Sequence, residues 1–178
     1  LVGSEMCIRD RDQADCLYAL AIALCKQGNL AESEILSRQS LALSQMIPET
    51  EKNQADCLLN LATTLLLLGK PVDAESIYRQ SLALYQELPG TELDQADCLY
   101  NLANTLHKLG KNAQAEPLYR QAITLYQTIP GTQQKQANCL NNLATCMLNL
   151  RKLSHAESLY YQALTPVSYT HLTLPTTE

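Results

Sequence analysis

Four stretches of this chain decide its fold: Gln-Ala-Asp-Cys-Leu at Gln13–Leu17, at Gln54–Leu58 and at Gln95–Leu99, and Gln-Ala-Asn-Cys-Leu at Gln136–Leu140. Each begins 41 residues after the one before, with no insertion or deletion. A fixed period of this kind marks a repeat architecture, in which one supersecondary unit buries its apolar face only by stacking on its neighbours. Such a stack needs roughly three units, and the phrase occurs four times.

Working outward from the phrase, the apolar residues Leu99, Leu102, Ala103 and Leu106 fall at i, i+3, i+4 and i+7, which predicts a first helix. It ends at Gly28, Gly69 and Gly110, where a left-handed residue closes a helix and glycine adopts that conformation without steric cost. A second periodic segment runs through Ala115, Leu118, Tyr119, Ala122, Ile123 and Tyr126 and stops before Pro130, as its counterparts stop before Pro48 and Pro89. Pro-Gly-Thr at 89–91 and 130–132, with Pro-Glu-Thr at 48–50, is a turn signal into the next unit. The unit is therefore helix, turn, helix, turn, and the class is all-α. Ala21, Ala62, Ala103 and Ala144 in the first helix, and Ser33, Ala74, Ala115 and Ala156 in the second, leave room for close helix approach.

Asn101-Leu-Ala, then Leu109-Gly-Lys, then Ala115-Glu-Pro-Leu-Tyr-Arg-Gln-Ala resemble the tetratricopeptide repeat, especially the long-linker variety of kinesin light chains. The resemblance covers Gln13 to Leu164 and recurs in register over repeats 13–53, 54–94, 95–135 and a truncated 136–164. It implies a right-handed superhelical solenoid of four helix-turn-helix repeats, about eight helices between about Asp12 and Leu164. The first repeat departs from the family pattern at Ser33, Ser37 and Ser40, where Ala, an aromatic residue and Ala are usual. The fourth departs at Arg151, where the turn glycine is lost and a less regular turn is expected.

The register fails at both ends. Residues 1–12 match the preceding period only near Asp12, and Pro166 falls where Leu84 and Leu125 continue the second helix, predicting an early helix break. Residues 1–11 and 165–178 resemble translated sequencing-adapter read-through, and they are read as non-native or disordered tails flanking a 12–164 solenoid. The natural protein is expected to extend further in both directions.

The chemistry of the residues argues for binding rather than catalysis. A net charge of −5 is of the wrong sign for a nucleic-acid-binding stripe. No apolar run approaches the roughly 18 residues of a membrane span. The seven cysteines contain no Cys-x-x-Cys pair, so neither a zinc site nor a disulfide framework is indicated. His107, His155 and His171 have no second ligand or nucleophile at motif spacing, and five of the six glycines belong to repeat turns. The expectation is no enzyme, no cofactor and no metal, a cytoplasmic location, and a protein or peptide partner, with no nucleic acid or membrane; the oligomeric state is not assigned.

The recurring polar feature is Asn60, Asn101 and Asn142 in the first helices, with Ala19 in the first repeat. Asparagine is disfavoured inside helices by several tenths of a kcal/mol, so its recurrence asks for a reason. In the resembled family the first helices line the concave groove, where an amide offers a peptide backbone both a donor and an acceptor. Bonding between neighbouring helices is the equal alternative. The same stripe brings in Tyr100, Asn141, Thr63, Asn104, Thr145, His107 and Lys108, with Tyr18, Leu59, Ile22, Lys26 and Asn149 beside them. Asp15, Asp56 and Asp97 are read as favouring the helix N-terminal dipole, and Cys16, Cys57, Cys98 and Cys139 as small buried filler too far apart for disulfides. The leading functional reading is a scaffold that binds a peptide or helical segment of a partner in its groove. The alternative is a recruitment or oligomerisation arm of a larger enzyme or signalling protein.

Overall fold

A computed structural model describes residues 2–168, with side chains over 9–164. It contains eight helices: α1 (Val2–Gln27), α2 (Leu30–Met46), α3 (Glu51–Leu67), α4 (Pro71–Glu87), α5 (Glu92–Lys108), α6 (Asn112–Thr128), α7 (Gln133–Asn149) and α8 (Leu153–Ser168). No strand occurs among the described residues. The chain divides into two compact units, residues 1–91 holding α1–α4 and residues 92–178 holding α5–α8. Within each unit the helices pack as consecutive hairpins, α1 with α2 and α3 with α4, then α5 with α6 and α7 with α8. The hairpins stack through α2 on α3 in the first unit and α6 on α7 in the second.

The outer helix ends differ from the sequence expectation. The first helix begins at Val2 rather than near Asp12, because residues 2–12 hold no proline and a helix nucleated further on propagates back at little cost. Pro166 falls within the last turn of α8 instead of ending it, where little helix remains to be disrupted. His171 lies outside the described residues.

Packing follows the small-residue pattern. Ala21, Ala62, Ala103 and Ala144 are fully buried, as are Ser33, Ala74, Ala115 and Ala156. Ser33 takes its polar atom into this contact by donating its hydroxyl to the Ala21 carbonyl at 2.8 Å. The large side chains of the interior include Leu61, Leu102, Leu143 and four tyrosines, Tyr78, Tyr85, Tyr119 and Tyr126.

The turns explain the sequence punctuation. Between α3 and α4, Gly69 has φ +75°, and N–H groups of Gly69 and Lys70 bond the Leu66 and Leu65 carbonyls at 3.2 and 2.9 Å. The fourth repeat was expected to be less regular here, yet Arg151 takes φ +59° and Arg151 and Lys152 make the same two bonds, to Leu148 and Met147, each at 2.9 Å. The closing hydrogen bonds outweigh the steric cost of a side chain in the left-handed region. At the other turn a buried threonine caps the outgoing helix: Thr132 Oγ1 donates toward the Tyr126 and Ile129 carbonyls at 2.6 and 2.9 Å. Gln136 Nε2, the first residue of the fourth phrase, donates to the same Tyr126 carbonyl at 2.9 Å. Thr50 and Gln54 repeat this arrangement on Ser44. Helix-end carbonyls have no partners of their own, which is why the proline turn is followed by threonine and, four residues later, by glutamine.

Ion pairs tie one hairpin to the next at the surface. Glu116 receives Arg120 from its own helix at 3.0 Å and Lys152 at 2.8 Å, and Glu34 receives Arg38 and Lys70 at 2.9 and 3.0 Å. Hydrogen bonds, from Lys152 first in one case and Arg38 first in the other, hold both carboxyls below the usual glutamate range. Exposed pairs of this kind each contribute about 0–1 kcal/mol.

Candidate peptide-binding faces

In the second unit, α5 and α7 bring several of the expected stripe residues into one network. Asn142 Nδ2 donates to Tyr100 Oη at 3.0 Å and to Asn104 Oδ1 at 2.9 Å. Tyr119 Oη, from α6, donates to the same Asn104 oxygen at 2.6 Å. Tyr100 and Tyr119 stand edge to face with ring centroids 6.3 Å apart, a favourable aromatic geometry. Thr145 donates to the Asn141 carbonyl at 3.1 Å and meets Tyr160 Oη at 3.1 Å. His107 Nδ1 lies 2.6 Å from Asn112 Oδ1. Lys108 and Asn141 are exposed.

Asn101 is the exception. It is half-buried, its backbone carbonyl accepts from Thr105 at 2.8 Å, and no hydrogen bond reaches its amide among the described residues. In the first unit Asn60 Nδ2 donates to Ser37 Oγ at 2.9 Å, and Thr63 donates to the Leu59 carbonyl and meets Tyr78 Oη, each at 2.9 Å. Asn60 and Asn142 are thus engaged between helices, while Asn101 keeps donors and an acceptor available.

The tyrosines on the second helices are residues that sequence reasoning passed over. Tyr78, Tyr119 and Tyr160 recur at the 41-residue period and reach Thr63, Asn104 and Thr145. A buried phenol hydroxyl requires a partner, so their recurrence opposite polar stripe residues was a usable signal. Burial pushes the Tyr119 and Tyr126 hydroxyls well above the usual tyrosine range.

Two expectations are corrected. Asp56 and Asp97 lie more than a turn inside α3 and α5, and Asp15 lies deep within α1, beyond the first turn in which the helix dipole acts. Their work is side-chain pairing instead: Tyr85 Oη donates to Asp56 Oδ1 at 2.5 Å, Tyr126 Oη to Asp97 Oδ1 at 2.6 Å, and Asn53 Nδ2 to Asp15 Oδ1 at 2.9 Å. Lys135 Nζ adds an ion pair to Asp97 at 2.6 Å. Of the cysteine series, Cys57, Cys98 and Cys139 are buried, Cys57 against Ser40 of α2 at 3.1 Å, but Cys16 is exposed. No disulfide joins the cysteines among the described residues. Burial pushes the Cys139 thiol up to about 12.

With the hairpins and their register described, comparison with known proteins assigns the class. The Tetratricopeptide repeat family matches residues 12–87 and 94–165, and the chain belongs to that family. No curated protein matches the sequence. Among solved structures, the chain is similar to BtubC (BKLC) from P. vanneervenii, with a TM-score of 0.84 at 19% identity over 93% of this chain and 67% of that one. It is similar to a Podosopora anserina kinesin-light-chain protein with nearly identical TPR-like repeats, with a TM-score of 0.78 at 17% identity over 91% and 77% of the two chains. Aspartyl phosphate phosphatase F from Bacillus subtilis gives a TM-score of 0.82 at 13% identity over 92% of this chain and 42% of that one. At these identities the structural likeness shows a shared fold alone. The fold is one that supports protein–protein interaction scaffolds and so implies protein partners. No described helix is long and apolar enough to cross a membrane.

Proposed function

We propose that this protein is an interaction scaffold whose first-helix faces bind an extended or helical segment of a partner polypeptide. The observation that carries this reading is Asn101: a half-buried amide inside a helix, at a position whose counterparts are both engaged, with no hydrogen bond among the described residues. Keeping such a residue costs helix stability, and a peptide backbone offers the donor and acceptor that this amide lacks. Around it, Tyr100, Asn104 and Asn142 are fixed by mutual hydrogen bonds and Thr145 by bonds to Asn141 and Tyr160, while Asn141, His107 and Lys108 complete the α5–α7 face. In the first unit Asn60 and Thr63 hold the corresponding place. Few cations stand on these faces, so recognition rests on amide and hydroxyl contacts rather than on a clamp for a carboxylate. Cysteines that are unjoined among the described residues suit a reducing compartment, which favours the cytoplasm.

The test is selection of peptides from a displayed random library on the immobilised full chain, followed by titration of one selected peptide. Asn101→Ala is expected to weaken binding by up to roughly tenfold, the worth of one neutral hydrogen bond. Its melting temperature should stay the same or rise slightly, since alanine is the better helix former. Unchanged affinity for the Asn101 variant, or a library that yields no binders, would remove the basis for this reading.

A further inference from the structure

Ser44 stands in α2 where Tyr85 stands in α4 and Tyr126 in α6, at the same step of the 41-residue period. Both tyrosine rings are almost completely buried, at 0% and 1% exposure. Each hydroxyl donates to a carboxylate on the first helix of its own hairpin, Asp56 for Tyr85 and Asp97 for Tyr126. In the first hairpin the carboxylate is retained, as Asp15, but the ring is missing.

What remains is a cavity of about 190 Å³ whose walls include Asp15, Tyr18, Ser44, Asn53, Asp56 and Cys57. An apolar cavity of about 150 Å³ accommodates one benzene ring, so a ring with a hydroxyl fits this volume. The serines of the wall point their hydroxyl hydrogens elsewhere: Ser44 Oγ donates to the Ser40 carbonyl at 2.9 Å, and Ser40 Oγ to the Ala14 carbonyl at 2.8 Å. Asp15 accepts from Asn53 at 2.9 Å, which leaves lone pairs for a further donor, because a carboxylate has about four acceptor sites. Asp56 is already bonded to Tyr85 and paired with Lys52. Two carboxylates beside the cavity favour a neutral or cationic donor and oppose an anion.

We propose that this cavity is a binding site for a p-hydroxyphenyl group. The ring takes the volume that Tyr85 and Tyr126 fill in their own hairpins, and the hydroxyl donates to Asp15 as theirs donate to Asp56 and Asp97. The group is carried either by a tyrosine side chain of a polypeptide or by a free phenol. The site lies within residues 1–91 and makes no use of Asn101, so it stands or falls independently of the peptide-binding reading.

The test uses the full chain labelled for amide NMR, titrated with p-cresol, with toluene, with phenyl phosphate and with capped tyrosine amide. Saturable shifts at Asp15, Asn53 and Cys57 are expected with p-cresol. Toluene, lacking the hydroxyl, should bind about threefold to tenfold more weakly, and phenyl phosphate should not bind. Asp15→Ala should erase the preference for p-cresol over toluene. Ser44→Tyr should refill the cavity, abolish the shifts and raise the melting temperature; should it fail to fold, Ser44→Leu, which fills part of the volume, is expected to weaken binding. Capped tyrosine amide binding at least as tightly as p-cresol identifies a polypeptide source, and binding of p-cresol alone identifies a free phenol. Absence of saturable shifts with p-cresol, equal binding of toluene, or shifts that persist when Ser44 is replaced would overturn the proposal.

Discussion

Arg151 carries a side chain at φ +59°, the place where Gly28, Gly69 and Gly110 turn the other hairpins, and Glu49 does the same where Gly90 and Gly131 stand. The left-handed region costs a non-glycine residue roughly 1–2 kcal/mol, offset in part by the greater unfolded-state entropy of glycine. Arg151→Gly is therefore expected to stabilise the protein by a few tenths to about 1 kcal/mol in denaturant unfolding. The asparagines divide at the same scale. Asn142→Ala removes two hydrogen bonds and strands the Tyr100 hydroxyl, while Asn104 keeps its bond from Tyr119, so it should cost about 1 kcal/mol or more and lower the melting temperature, in contrast to Asn101→Ala. The recurrence of asparagine every 41 residues is visible in the chain; which amide is engaged depends on whether serine or tyrosine faces it from another helix.

Each helix is defined by a buried stripe and by the way its ends are closed. Leu102 is 1% exposed at the centre of α5, and Leu102→Ala should cost roughly 2–5 kcal/mol, read by thermal or denaturant unfolding. An unchanged melting temperature would put this side chain outside the core. The helix stripes were legible because 3.6-residue periodicity is local. The closing devices were legible only as turn signals: proline and glycine mark where a helix stops, but the threonine and glutamine that satisfy the last carbonyls act across the turn, on a helix already finished.

At the scale of the whole chain, buried tyrosine and cysteine make the fold sensitive to alkali. Burial raises the Tyr119, Tyr126 and Cys139 groups above their ordinary values, Cys139 to about 12. Unfolded thiols and phenols ionise near about 8.5 and 10, so above those values the unfolded chain releases protons that the native one retains. Stability is fully present below about pH 8 and declines as pH rises from about 9 toward 12. Melting curves between pH 7 and 11 should show this fall, and Tyr126→Phe should make it shallower. The ends allow a second test at this scale. Removing residues 1–11 and 167–178, which lie outside the repeat register, is expected to leave the melting temperature nearly unchanged, and a drop of several degrees would make them parts of the folded core.

The sequence by itself determined the period, the helices, the hairpin turns and the small-residue contacts, because each follows from spacing along the chain and from residue size. The family followed from the same pattern. Only the tertiary structure decided which polar groups are occupied: that Asp56 and Asp97 receive tyrosine hydroxyls, that Asn101 alone of its series keeps an open amide, and that Ser44 leaves a cavity beside Asp15. The reason is physical. A hydrogen bond is satisfied by whatever residue another helix presents within about 3 Å, and a hole is defined by the side chains around it, so neither is encoded at any single position.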